Sequence, residues 1–163
     1  MTDTTIRPLA TASEAAVCAE MMAHMEPWIT LGRDYTAAYQ SITDTTKEVY
    51  VAITRNQIAG LIVLNLNGAF VGYIQSVCVA RDRRGAGIGT ALIQFAEQRI
   101  FRHVPNVFLL VSSFNPQAQR LYKRLGYTVI GELHDYVIAG ASEVLLRKTI
   151  APLATFTRAT DSD

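Results

Sequence analysis

Residues 83–89 read Arg-Arg-Gly-Ala-Gly-Ile-Gly and follow the segment YIQSVCVARD, whose apolar pattern predicts a β-strand. The segment after them, TALIQFAEQRI, has apolar residues at helical spacing. A strand that leads into a helix directs the unpaired N–H groups and the positive dipole end of the helix at the loop between them. Glycines let a ligand approach the backbone closely, and the paired arginines add charged donors. This combination predicts a site for phosphate groups.

Known phosphate-binding loops narrow the choice of ligand. The dinucleotide pattern Gly-x-Gly-x-x-Gly requires glycine at position 90, where this chain has Thr90, and the nucleotide-triphosphatase pattern requires a lysine that is missing after the loop. The pattern Gln/Arg-x-x-Gly-x-Gly/Ala is satisfied by Arg84, Gly87 and Gly89. Because this pattern is short, phosphate binding and a simple tight turn both stay open at this point.

The elements before this loop are predicted from caps and periodicity. A short strand at TIRPL precedes a helix that begins with a capping box at Thr11 and Glu14 and ends near Pro27. An exposed loop with Trp28 and a second short helix, YTAAYQSIT, follow. The segments EVYVAIT and QIAGLIVLNL have the spacing of a hairpin, and GAFVGYIQSVCVA adds a third strand.

The elements after the loop are more sharply marked. A helix runs from Gly87 to about Arg102, and the strand NVFLLV follows it. Asn115 caps the next helix, Pro116 takes its first position, and Gly126 ends it. YTVIGEL and SEVLLRKT close the chain as two strands. We therefore expect an α+β domain at residues 1–150 with a mixed sheet of about six to seven strands and about four helices, followed by a flexible tail at 151–163.

Composition excludes several classes of function. Fifteen basic and fourteen acidic residues give a net charge of +1 without any block of like charge, so a nucleic-acid partner is not expected. The two cysteines and three histidines lack the spacing of a metal site, so no metal is expected. No apolar run reaches the ~18 residues of a membrane span and the start does not resemble a secretion signal, so we expect a cytoplasmic protein with no membrane partner.

A second segment makes the prediction specific. SVCVARDRRGAGIGTALIQFAEQ, followed by VSSFNPQAQRLYKRLGY, resembles the GNAT superfamily of acyl-CoA-dependent N-acyltransferases over residues 73–127. The resemblance implies a sheet whose fourth and fifth strands splay apart, with acetyl-CoA as co-substrate. It also implies that backbone groups of the fourth strand meet the thioester and that loop amides hold the pyrophosphate. The implied cofactor-binding residues are Val77, Cys78, Val79, Arg84, Gly85, Ala86, Gly87, Ile88, Gly89, Thr90 and Asn115.

Tyr122 matches the family tyrosine that faces the thioester sulfur. A phenol with a pKa of ~10 stays neutral at pH 7 and can protonate a departing thiolate, so we expect Tyr122 to be the general acid. Tyr122 also lies on the apolar stripe of its helix, where a packing role alone is the alternative. Cys78 is expected to be a buried structural residue, since no histidine is placed to activate it, and direct transfer in a ternary complex is the expected mechanism.

The acceptor side is less well defined. Many family members carry a carboxylate on the fourth strand to deprotonate the amine, and this strand has none. Glu26 is the nearest candidate base, with an exposed helix-end carboxylate as the alternative. Adjacent His134 and Asp135 would point to opposite faces, so they are treated as possible contacts and not as a dyad. The candidate acceptor-binding residues are Glu26, Trp28, Tyr35, Tyr73, His134 and Tyr136.

The leading hypothesis is an N-acetyltransferase that moves an acetyl group from acetyl-CoA to a primary amine. A coenzyme A-binding sensor without catalysis is the alternative, since the missing carboxylate permits it, and a phosphate-ligand protein unrelated to coenzyme A is the third hypothesis. A protein N-terminus, a lysine side chain and a small polyamine or amino-sugar are all open as acceptors. The sequence does not fix the oligomeric state, and a homodimer is one open assembly.

Overall fold

The fold is seen in a computed structural model, which describes residues 4–159. Those residues form seven strands, four α-helices and two short 3-10 turns, in the order expected from the sequence. The elements are β1 Thr4–Pro8, α1 Ala12–Ala23, α2 Tyr35–Thr43, β2 Glu48–Thr54, β3 Gln57–Asn65, β4 Tyr73–Val79, α3 Ile88–Phe101, β5 Asn106–Ser112, α4 Pro116–Arg124, β6 Thr128–His134 and β7 Ser142–Thr149.

Local signals fix several boundaries. The Thr11 hydroxyl accepts a hydrogen bond from Glu14 N, while the Glu14 carboxylate accepts one from Ala10 N, so α1 begins with a reciprocal cap. Asn115 Oδ1 accepts a hydrogen bond from Ala118 N at 3.2 Å, which confirms it as the cap of α4. The turn between β2 and β3 consists of Arg55 and Asn56, both at positive φ, the conformation that a two-residue hairpin requires.

All seven strands form one sheet in the order β1-β2-β3-β4-β5-β7-β6. Every neighbouring pair is antiparallel except β4 and β5, which are parallel. These two strands pair only at Tyr73 with Phe108 and Ile74 with Leu109, and diverge afterwards, so the expected splayed strands are confirmed. A bulge at Gln75, opposite the Val63–Leu64 step of β3, lies where the divergence begins.

Gly72 closes the narrow end of this divergence. Its carbonyl accepts a hydrogen bond from Phe108 N at 3.0 Å, and a Cβ on Gly72 would lie 2.2 Å from the Asn106 carbonyl oxygen. Only glycine tolerates both this contact and its φ of 93°. Beyond Ile74 and Leu109 the facing backbone edges of β4 and β5 are left without strand partners, which opens a gap in the middle of the sheet.

The sheet separates two apolar cores. One core lies beneath α3 and α4 and includes Leu92, Ile100, Leu109 and Tyr122. The other lies beneath α1 and α2 and includes Met22, Trp28 and Cys78. Trp28 is only 8% exposed, which corrects the expectation of an exposed tryptophan: the loop after α1 folds it against the second core.

The predicted tail is described in part. Residues 153–155 form a 3-10 turn, and Ala159 N donates a hydrogen bond to Arg102 O at 3.1 Å. The remaining residues of that tail, 160–163, lie outside the described residues. Within the described range, no helix has the length and apolarity needed to cross a membrane.

Candidate active site

Two cavities meet at the gap between β4 and β5. The glycine-loop cavity, of about 750 Å³, is lined by the segment 83–90, the end of β4 and the first turns of α4. The strand cavity, of about 410 Å³, is lined by the first half of β4, the end of β5 and the loops after α1 and β6. Both cavities share one wall, formed by Pro27, Trp28, Val77, Asn115, Ala118 and Tyr122.

The glycine-loop cavity has the donors that an anionic ligand requires. Gly87 precedes α3 at a φ of 80°, has no side chain to cap the helix, and thereby leaves the first-turn N–H groups free. No described residue accepts a hydrogen bond from the backbone amides of 88–90, in the first turn of α3. Four arginines also line the cavity against a single carboxylate, that of Glu26; they are Arg83, Arg84, Arg120 and Arg124. The chemistry of this cavity therefore fits a phosphate-bearing ligand.

Most of the residues predicted to bind a cofactor lie in this cavity. Its lining includes Val77, Cys78, Val79, Arg84, Gly85, Gly87, Ile88, Gly89, Thr90 and Asn115. Ala86 lies within the same loop but does not line the cavity. A Cβ at Gly85 or Gly87 would meet nothing within 4 Å, so it is their positive φ values and not crowding that favours glycine there.

Tyr122 lies where the two cavities meet. It is 8% exposed, and its phenol oxygen makes no hydrogen bond to the described residues. Burial, with a smaller contribution from Tyr73, raises the pKa of the Tyr122 phenol, so the group stays protonated at neutral pH. The ring packs edge-on against Tyr127 with centroids 5.7 Å apart, which fixes its orientation. Tyr122 therefore both packs in the core and presents a neutral O–H donor at the junction.

Cys78 is placed as a structural residue. Its side chain is 2% exposed, its Sγ lies 3.8 Å from Met25 Sδ, and burial raises the pKa of its thiol to about 12. A thiol with that pKa is protonated at neutral pH and is a poor nucleophile. Cys78 pairs with Leu61 of β3, and no residue of β5 pairs with this part of β4.

The strand cavity gathers three of the predicted acceptor-binding residues: Trp28, Tyr73 and Tyr136. Burial raises the pKa of the Tyr73 phenol to about 12, with further contributions from Tyr136 and Glu143. Glu26 instead lines the glycine-loop cavity, where its carboxylate accepts a hydrogen bond from Thr30 N at 3.1 Å.

Two other predicted acceptor residues lie outside both cavities. Tyr35 begins α2, is 39% exposed, and stacks on Tyr39 with ring centroids 5.8 Å apart. His134 lies on the edge strand β6, where its Nδ1 is 2.8 Å from Ser142 Oγ. Among the described residues, no cluster of three or more His, Cys, Asp or Glu side chains is arranged to hold a metal ion.

Glu143 was missed by the sequence reasoning. This residue of β7 is buried, lines the strand cavity, and accepts a hydrogen bond from Ser112 Oγ to its Oε1 at 2.7 Å. It lies in the segment SEVLLRKT, whose polar and apolar residues do not alternate, so the sequence does not assign Glu143 to either face of the sheet. The insertion of β7 between β5 and β6 brings it to the gap, and no local sequence signal indicates this.

Comparisons with known proteins agree with this geometry. The model of the acetyltransferase (GNAT) family matches residues 14–127. An uncharacterized N-acetyltransferase of Methanocaldococcus jannaschii is 33% identical over 102 residues, which cover 61% of this chain and 64% of that protein. An N-alpha-acetyltransferase of Sulfurisphaera tokodaii is 36% identical over 78 residues, 46% of each chain. This chain therefore spans less than two thirds of the length of these two curated relatives.

Solved structures share the fold. A putative acetyltransferase of the GNAT family from Desulfovibrio desulfuricans superposes with a TM-score of 0.76 at 17% identity, covering 91% of this chain and all of the other. The ribosomal-protein-S18-alanine N-acetyltransferase from Escherichia coli gives a TM-score of 0.73 at 17% identity, covering 92% of this chain and 96% of that one. At these identities the likeness establishes the architecture alone.

Proposed function

We propose that this chain, which belongs to the acetyltransferase (GNAT) family, transfers an acetyl group from acetyl-CoA to a primary amine. The observation that carries the proposal is the junction of two cavities at Tyr122. One cavity offers arginines and free backbone amides to a phosphate-bearing donor, and the other offers aromatic and polar side chains to an acceptor. Direct transfer requires both substrates to reach one point, and the shared wall supplies that point.

The glycine loop is the proposed holder of the coenzyme A pyrophosphate. Backbone N–H groups of 84–90 bind phosphate oxygens, and the α3 dipole adds to the attraction. Gly85 and Gly87 hold the loop in the left-handed backbone conformation that this arrangement requires. When bound, acetyl-CoA supplies the activated thioester carbonyl, and the Asn115 region of α4 borders its path toward the sheet.

The unpaired edge of β4 and the Tyr122 phenol act on the reacting group. A backbone N–H in Val77–Val79 can donate to the carbonyl oxygen, which becomes negative as the amine attacks. Tyr122 then donates its proton to the departing sulfur, since a raised pKa keeps that proton in place until the thiolate forms. The inert Cys78 thiol supports direct attack in a ternary complex over an acetyl-enzyme.

Thiol release from acetyl-CoA tests this proposal directly. The protein is mixed with acetyl-CoA and, in turn, a peptide with a free N-terminus, an N-terminally blocked lysine peptide, spermidine and an amino-sugar. We expect amine-dependent thiol release with at least one acceptor. Calorimetric binding of acetyl-CoA without thiol release across the panel would instead favour the coenzyme A-binding sensor. A melting temperature raised by ATP or NAD but not by acetyl-CoA would favour a different phosphate ligand.

A pair of glycine variants separates loop function from backbone strain. Gly87 and Gly140 both have φ near 80°, and a Cβ at either would meet nothing within 4 Å. Gly87→Ala and Gly140→Ala therefore carry similar local strain, at about 1 kcal/mol each. We expect only Gly87→Ala to weaken acetyl-CoA binding, by about tenfold, as measured by calorimetry. Equal affinities in the two variants would contradict the placement of the pyrophosphate.

A further inference from the structure

Glu143 is a buried carboxylate that lacks a cation. Glu143 is 6% exposed, and no described Lys, Arg or His nitrogen lies within 4.0 Å of its carboxylate oxygens. The Ser112 hydroxyl satisfies Oε1, and Oε2 receives no hydrogen bond from the described residues. Oε2 is not fully enclosed and Glu143 lines the strand cavity, so the carboxylate is free to accept a hydrogen bond from a ligand there.

The side chains around Glu143 in the strand cavity suit a positively charged ligand. The groups around it in the strand cavity are Ser112 of β5, Tyr73 of β4, Tyr122 of α4, Tyr136 after β6 and Arg33 after α1. Arg33 is the one side chain there that is cationic at every physiological pH, and it forms no ion pair with Glu143. Tyr73 and Tyr136 add aromatic surface, which attracts a cation. The missing partner of Glu143 is therefore a cation that enters the cavity from outside.

We propose that Glu143 binds the ammonium group of the acceptor and takes its proton, so that the acceptor class is amines that arrive positively charged. This inference rests on the proposed acetyl transfer. It also answers the absence of a carboxylate on β4: the carboxylate comes from β7, across the gap between the strands, and reaches the same cavity as Tyr122.

The protons balance as follows. The ammonium passes one proton to the Glu143 carboxylate, and this transfer turns a charged pair into a neutral one, which burial favours. The neutral nitrogen forms the N–C bond, the C–S bond breaks, and the sulfur takes the proton of Tyr122. The second proton lost by nitrogen restores the Tyr122 phenol, and Glu143 releases its proton to solvent after the product leaves. The net products are an amide, a free thiol and one proton.

Glu143→Gln tests this role, and Glu132→Gln is its matched control. Glu132 lies one strand away on β6 and on the opposite face, with its side chain 48% exposed. We expect Glu143→Gln to lower kcat/KM for the preferred amine about 100-fold at pH 7. The deficit should shrink as pH rises toward the pKa of the amine, because the variant can use only amine that is already neutral. Glu132→Gln should match the native protein throughout. A uniform deficit at every pH would overturn the proton-transfer role.

A binding measurement separates failure of this inference from failure of the proposed function. Melting temperatures are measured with coenzyme A present and with butylamine or its uncharged analogue 1-butanol added. We expect butylamine to raise the melting temperature of the native protein more than 1-butanol does, and this difference to vanish in Glu143→Gln. That result would support the cation site even if no acceptor released thiol.

Glu143→Asp keeps the test decisive if the glutamine variant folds poorly. The shorter carboxylate retains the charge, so we expect the preference for butylamine over 1-butanol to persist in Glu143→Asp. Equal stabilisation by butylamine and 1-butanol in the native protein would overturn the inference whatever the activity, as would an unchanged preference for butylamine in Glu143→Gln.

Discussion

Strand β7 carries Lys148 on one face of the sheet and Glu143 on the other, and only Lys148 has a partner of opposite charge. On the α3 face, Lys148 Nζ donates to Glu97 Oε2 at 2.7 Å and lies 5.8 Å from the centre of the Tyr127 ring. On the other face, Glu143 has the Ser112 hydroxyl and no cation. Both glutamates are buried, at 7% and 6% exposure.

The contrast shows how burial alone does not distinguish structural from functional charge. Glu97 is neutralised within the fold, as is Glu48 by Arg99 with an N–O distance of 2.6 Å. Buried atoms without partners also occur away from the junction, since Glu97 Oε1 and the Tyr127 hydroxyl are enclosed and make no hydrogen bond to the described residues. At the junction, Glu143 Oε2, the Tyr122 hydroxyl and the amides of 88–90 also lack partners among the described residues, but they border the two cavities. The junction groups therefore differ from Glu97 and Tyr127 in their access to a cavity, where a ligand can supply the missing partner.

The largest expected effect concerns the two neighbouring phenols. Tyr122→Phe should lower kcat about 100-fold with acetyl-CoA affinity unchanged, because only the proton donor is lost. Tyr127→Phe removes the hydroxyl of the ring packed against it, which lines neither cavity, and kcat should stay within about twofold. Steady-state thiol release and calorimetry provide both measurements. Unchanged turnover in Tyr122→Phe would remove Tyr122 from the proposed chemistry.

Loss of the Lys148–Glu97 ion pair should lower the free energy of unfolding and leave the turnover rate unchanged. Lys148→Met leaves the Glu97 carboxylate without its cation, so the free energy of unfolding should fall by about 2 kcal/mol, less than for a fully buried pair because Lys148 is partly exposed. Changing Glu97→Gln as well should restore much of the loss. Lys123→Met, at an exposed position of α4, is the control in urea unfolding. If Lys148→Met kept native stability but impaired turnover, the Lys148–Glu97 pair would have a functional role and not a structural one.

A smaller effect is expected at the hydroxyl that holds Glu143. Ser112→Ala removes the single hydrogen bond to the carboxylate, so KM for the amine should rise about threefold to fivefold, equivalent to about 1 kcal/mol. Ser113→Ala is the control, since Ser113 Oγ contacts Ser142 N and not the carboxylate. Steady-state kinetics at fixed acetyl-CoA distinguish them; identical KM values would mean that Glu143 needs no support from β5.

The smallest expected effect concerns the Arg7–Glu14 ion pair near the surface and the pH dependence of stability. The Arg7 guanidinium, followed by Ala10 N, lowers the pKa of the Glu14 carboxyl from 4.5 to about 2. Because the folded pKa is the lower one, this stabilisation is complete above pH 4.5 and is lost as the pH falls through 2. Glu14→Gln should therefore flatten the dependence of unfolding free energy on pH in that window, as followed by urea titration. Glu20→Gln, on the same helix, should retain the native slope.

The sequence predicts the fold well because its signals are local. The cap at Asn115, the proline after it and Gly126 define α4 within twelve residues, and the order of the seven strands along the chain follows from apolar runs. The position of Tyr122 follows from α4 and the family resemblance together. Glu143 could not be predicted, because its meaning depends on Ser112, 31 residues earlier, and on the placement of β7 next to β5.

The burial of Trp28 could not be predicted either, because it depends on contacts with residues distant in the sequence. The loop sequence around it is polar enough to suggest an exposed ring, and only the second core beneath α1 and α2 gives that ring a place. Tyr35 and His134 are predicted as acceptor contacts from their places along the chain, but α2 and the edge strand β6 position them outside both cavities.

The wall shared by the two cavities has a kinetic consequence. Each cavity has residues of its own besides the common wall, so the proposed donor and acceptor would occupy different places and can be bound together. Initial-rate plots at several fixed concentrations of one substrate should then give intersecting lines instead of the parallel lines of a ping-pong enzyme. Strands β4 and β5 stop pairing after two residues. The gap that this leaves in the sheet would then determine the form of the rate law.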